Sequence, residues 1–134
     1  MDEYEQWIAE SVNEIAGRDI YFDVGEIMKL PDSVAARLVA ELIRWACCPT
    51  KVRPITIGRD CLKRLPAAWS EPYIKLKAPA VLDLSDFWEY SRLLELAEMI
   101  SPELLKWAIP LGEPYKDDAN IKETMESFID RLDV

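Results

Sequence analysis

Residues 31–49 read PDSVAARLVAELIRWACCP, and the spacing within this stretch decides the fold class. Val34, Leu38, Val39, Leu42, Ile43, Trp45 and Ala46 recur at helical intervals and would form one wide apolar face. Pro31-Asp32-Ser33 is a helix-start signature and Pro49 a stop, which predicts a helix over Asp32 to Cys48. A half-buried strand would alternate at every second residue, and this stretch does not.

The same periodicity continues on both sides. Upstream, Tyr4, Ile8, Val12 and Ile15 predict a helix from Asp2 to Ala16 with Gly17 as its stop. Residues 18–30 stay open between extended chain and a short turn of helix at Glu26 to Lys29. Downstream, Pro54 opens a short helix carrying Ile55, Ile57, Cys61, Leu62 and Leu65, ended by Pro66. Trp69, Tyr73, Ile74, Leu76, Ala80, Val81 and Leu82 follow, and Pro72 and Pro79 place the start of their helix near Glu71. Asp86 caps a helix with Phe87, Tyr90, Leu93, Leu94, Ala97 and Ile100 on one face. Ser101-Pro102-Glu103 starts another, with Gly112 as its stop. The last helix runs from about Asp118 to Leu132 on Ile121, Met125, Phe128, Ile129 and Leu132. About seven helices with short links predict an all-α fold of stacked antiparallel helical hairpins, in a single domain over residues 1–134.

Composition limits the chemistry. The chain has 134 residues, half of them apolar and 31 % charged, the balance of an ordinary globular domain. It contains no histidine, so the commonest general base and the commonest metal ligand are both missing. No phosphate loop, nucleophile elbow, zinc motif or calcium loop occurs. The reading is therefore of a protein that is not an enzyme, with no cofactor and no metal. Cys47, Cys48 and Cys61 lack metal or redox spacing and are expected as free thiols, mostly buried. The acidic start, Met1-Asp2-Glu3-Tyr4-Glu5, has no secretory signal pattern and predicts a cytoplasmic protein, and no apolar run predicts a membrane span.

Charge is distributed unevenly. The formal net charge is −9, which argues against nucleic acid or an anionic membrane as partner. Residues 51–80 nevertheless hold seven basic side chains against two acidic ones, while the segments on either side are strongly acidic. The basic centre is read as a solvated face pairing with acidic neighbours, and the acidic flanks as recognition surfaces for a basic protein. Asp83, Asp86 and Glu89 cluster, with Asp86 also explained as a helix cap; Asp117 and Asp118 suit the start of the last helix. Of five tryptophans, Trp45, Trp69 and Trp107 fall on apolar stripes, whereas Trp7 and Trp88 are expected as exposed anchors.

The stretch PELLKWAIPLGEPYKDDANIKETMESFIDRL, residues 102–132, resembles a HEAT-type helical repeat: a helix with a Leu-Leu pair, an Asp-rich link, then Ile121, a basic residue and Glu123 opening a second helix. Lys122 stands where arginine is usual, and Thr124-Met125 replace a pair of alanines. Such repeats serve as protein-binding scaffolds. A broader resemblance covers about residues 54–130, with WEYSRLLEL at 88–96 as its most specific block. It is to small HEAT-like helical immunity proteins encoded beside bacterial polymorphic toxins, each of which binds its neighbour's toxic domain and occludes the active site. That resemblance implies a basic toxin domain, often a nuclease, as partner. The contact candidates are then Asp83, Asp86, Trp88, Glu89, Glu95, Asp117 and Asp118. Tyr90 is read as structural. The alternative function is a HEAT-like adaptor between proteins with no toxin partner, and the oligomeric state is left open.

Overall fold

The computed structural model describes residues 1–132, and among them there are helices and turns but no strand. The all-helical architecture expected from the spacing is the one found. Eight α-helices form: α1 Glu3–Ala16, α2 Val24–Ile27, α3 Asp32–Ala46, α4 Val52–Arg64, α5 Ala67–Val81, α6 Phe87–Ile100, α7 Pro102–Ala108 and α8 Ala119–Leu132, with a 3₁₀ stretch at Ile109–Tyr115.

The helix over Asp32–Ala46 is the hub. It packs against α1, α4, α5 and α6, while α7, α8 and the 3₁₀ stretch gather around α6. Leu38, Val39, Leu42, Ile43 and Ala46 are fully buried on it, and a Leu or Ile side chain taken out of water contributes about 1.5–3 kcal/mol. Where α4 crosses this hub, Gly58 lets two backbones touch. A Cβ there would stand 2.5 Å from the Ala46 nitrogen and 2.9 Å from its Cα.

Local chemistry explains the boundaries. Asp2 caps α1 by accepting from the Glu5 N–H at 2.8 Å, and Gly17 ends it in the left-handed conformation at φ 76°. The segment left open by spacing is held by the side chain of Asn13, whose Oδ1 accepts from the N–H groups of Ile20 and Tyr21 at 2.9 and 3.0 Å. It closes with one helical turn, α2, capped by Asp23. Ser101 caps α7 through the Leu104 N–H at 3.0 Å, and Asp118 accepts from the Asn120 and Ile121 N–H groups at the start of α8.

Several expected boundaries need correction. The hub helix ends at Ala46, with Cys47 as its C-cap. The following helix begins at Val52, so Pro54 lies in its first turn, where a missing N–H leaves no bond unmade. The largest shift is in α5, which begins at Ala67 and carries both Pro72 and Pro79 inside it. Burial of Ile74 and Ala78 against the hub outweighs the hydrogen bonds those prolines cannot make. Leu76 and Ala80 do not belong to the buried stripe and face outward. Gly112 is no helix stop. It lies inside the 3₁₀ stretch, where a Cβ would be 2.7 Å from the Tyr90 ring. No helix among the described residues is long and apolar enough to cross a membrane.

Candidate protein-binding face

The turn between α5 and α6 is tethered by Leu82 and Leu84, both buried, so the polar residues between and after them are carried outward. Asp83 accepts from the backbone N–H of Ser85 at 3.1 Å and from its hydroxyl. Asp86 caps α6 by accepting from the Trp88 and Glu89 N–H groups at 2.8 and 3.2 Å. Glu89 reaches back so that its Oε1 accepts from the Asp83 N–H at 3.3 Å. Hydrogen bonds thus make the three carboxylates one fixed acidic corner.

Trp88 stands on that corner. Its side chain is 51 % exposed, packs tilted against Phe87 at 5.1 Å between ring centroids, and carries the Arg92 guanidinium 5.6 Å from its own ring. An exposed tryptophan already held by an arginine loses little conformational freedom on contact, and both residue types are enriched at binding hot spots.

One turn further on, Glu95 is directed into the molecule. It pairs with Arg92 at 3.1 Å and with Arg59 of α4, while Arg92 also donates to the Pro49 carbonyl at 3.5 Å. Burial by itself would raise the Glu95 pKa, but the hydrogen bonds from Arg59 and Arg92 hold the carboxyl below its ordinary range. Glu95 therefore ties α6 to α4. Glu95 also lines a mixed polar and apolar groove of about 400 Å³ between α6 and α8, with Phe87, Asn120, Glu123, Phe128 and Arg131.

The proposed contact residues fall into three groups. Asp83, Asp86, Trp88 and Glu89 come together at the corner, and Glu95 lies behind it in the ion-pair triad. Asp117 and Asp118 are exposed at the start of α8, and among the described residues no hydrogen bond or ion pair joins them to the corner. Spacing did not reveal Arg59, because its partner lies 36 residues away in sequence. Tyr90 is structural as expected: fully buried, it donates to the Ile109 carbonyl at 2.7 Å.

Of the stripe expected on the last helix, Ile121, Met125 and Phe128 are buried, whereas Ile129 is exposed. Trp7 is exposed, and Trp45, Trp69 and Trp107 pack against the core. All three cysteines are free, Cys47 and Cys61 buried and Cys48 partly so. Burial pushes the Cys47 thiol up to about 12, which removes it as a nucleophile near neutrality. Among the described residues no three His, Cys, Asp or Glu side chains, those of the acidic corner included, are placed to hold one metal ion. From the basic centre, Arg53 pairs with Asp2 and Arg59 with Glu95, whereas Lys51, Lys63, Arg64, Lys75 and Lys77 form no ion pair among the described residues, so the expected balance by acidic neighbours holds only in part.

No protein-family model matches the chain, and neither a curated protein nor a solved structure matches it at a significant level.

Proposed function

We propose that this chain is an immunity-type binding protein that neutralises a cognate bacterial toxin domain by covering its active site, without turning over a substrate. The supporting observation is the hydrogen-bonded acidic corner of Asp83, Asp86 and Glu89 beside the half-exposed Trp88 in sequence and fold. A half-exposed aromatic anchor at the start of a helix that also carries Asp86 and Glu89 complements a basic cleft of the kind a nuclease uses to hold phosphates. The likeness of residues 88–96 to immunity proteins supplies the toxin as partner class, and the absence of histidine fits binding without catalysis.

The interaction is electrostatically steered, so association slows as salt rises while the Trp88 contact governs dissociation. Co-expression with a toxin domain encoded beside this gene, where one is found, followed by pull-down and a viability assay, tests the reading. A complex and rescue of growth are expected. Absence of both would overturn it, and a complex with a partner that is harmless when expressed alone would favour the adaptor alternative.

A further inference from the structure

The helix over residues 67–81 is apolar on two sides. Ile74 and Ala78 are buried against the hub, yet Ala68, Pro72, Leu76 and Ala80, four residues apart, form a second row that is exposed. Leu76 alone is 63 % exposed. Between this row and α3 runs a groove of about 780 Å³ whose floor includes Trp69, Pro72, Tyr73 and Leu76. It continues past Arg37 and Lys77 into a further hollow reaching Arg44 and Val81, so the furrow follows α3 for about three turns.

The rim carries Arg37, Arg44 and Lys77 against Asp32 and Glu41, with Glu41 already paired to Arg44 at 3.7 Å, so the charge left over is that of Arg37 and Lys77, opposite to the molecule as a whole. Arg37 and Lys77 line both hollows, and neither has a carboxylate within ion-pair distance among the described residues. Asp32, at one end, is already occupied by the Tyr73 hydroxyl at 2.8 Å. A proline supplies no N–H, so Pro72 leaves the carbonyl of Ala68 without its usual helical donor beside the groove.

We propose that this α3–α5 groove docks an amphipathic helix from a partner protein, apolar along one face and acidic along its flanks. The apolar floor takes the hydrophobic anchors, and Arg37 and Lys77 pair with the flanking carboxylates. An anionic lipid surface is disfavoured by the net charge of −9, and the apolar floor is wrong for a nucleic-acid backbone. The site is independent of the acidic corner and would recognise a partner of opposite charge.

Fluorescence anisotropy with a labelled helical peptide tests it. The probe has about 18 residues, with leucines at i, i+3, i+4 and i+7 and glutamates on both flanks, long enough to be helical in isolation. A second probe replaces the glutamates with lysines. Saturable binding of the acidic probe alone is expected, weakened by salt and lowered at least about tenfold by Leu76→Glu. Arg37→Glu with Lys77→Glu should weaken it comparably, and Lys106→Glu on α7 should not. Each variant is exposed enough to fold, which circular dichroism checks. No binding of the acidic probe, equal binding of both probes, or indifference to Leu76→Glu would overturn the proposal. Sedimentation provides the last arm, because Trp7 with Glu3, Glu10 and Glu14 makes α1 itself an acidic helix face. A concentration-dependent dimer abolished by Leu76→Glu would make a second copy the occupant and overturn the foreign helix. Toxin rescue that survives Leu76→Glu would show the two faces to be separate.

Discussion

Helices α5 and α6 are neighbours of nearly equal length, 15 and 14 residues, yet they are built by different means. The second is specified locally: Asp86 caps it, its buried residues keep one stripe, and Trp88 and Met99 are the large apolar residues exposed on its outward side. The first has no side-chain cap, contains two prolines, and is apolar on both sides. It persists because the hub buries Ile74 and Ala78. A helix encoded by its own caps carries charge at defined points, whereas a helix maintained by packing tolerates an apolar exterior, and the two proposed binding faces differ in this way.

The most severe way to break this arrangement is to disturb the hub on which both helices rest. Gly58→Ala would force a methyl group into the Ala46 backbone, which has no flexible end to move aside. A loss of about 3 kcal/mol or more is expected in urea or thermal denaturation, at the upper end of overpacking costs. A loss under about 1 kcal/mol would mean that the two helices separate easily.

Next in size are two substitutions that probe how α6 is anchored. Tyr90→Phe removes the hydroxyl that satisfies the buried Ile109 carbonyl and should cost about 1–3 kcal/mol by the same measurement. Glu95→Gln weakens the tie to Arg59 and Arg92. Because Glu95 is about a third exposed, the expected loss is only about 1 kcal/mol. Its pH dependence is more telling. The folded-state pKa lies below the unfolded value, so the stabilisation is present above about pH 4.5 and disappears as pH falls through the folded pKa. The wild-type chain should lose more stability than Glu95→Gln between neutral and strongly acidic pH, and parallel curves would contradict this assignment.

The smallest effects sharpen the comparison between the two helices directly. Asp86→Ala should lower stability by about 1 kcal/mol through loss of the cap. Pro72→Ala should raise it by up to about 1 kcal/mol, because an N–H is restored inside a helix that packing already maintains. Opposite signs in paired denaturation curves would show that one helix is encoded locally and the other by its surroundings.

These differences also separate what could be read from the sequence from what could not. Asp86, Ser101 and Asp118 announced their helices because a cap acts within three residues, a range at which sequence spacing equals spatial contact. The hub was legible because its apolar residues recur over four turns. The start of α5 was not, since local rules count the cost of Pro72 but not the burial of Ile74. Gly112 was misread for a similar reason: it is required by Tyr90, 22 positions earlier, and not by the turn it seemed to end. The start of residues 18–30 resists assignment because the N–H groups of Ile20 and Tyr21 bond to the Asn13 side chain on another element. At the acidic corner, the exposure of Trp88 was legible, whereas the inward turn of Glu95 depended on Arg59 of a distant helix.

Titration calorimetry of the purified chain with the catalytic domain of a candidate cognate toxin bears most directly on the proposed function. Tight one-to-one binding is expected, weakened at least about tenfold by Trp88→Ala and again by Asp83→Lys with Glu89→Lys. Heats of dilution alone, or full affinity retained in all of these variants, would contradict binding through the acidic face.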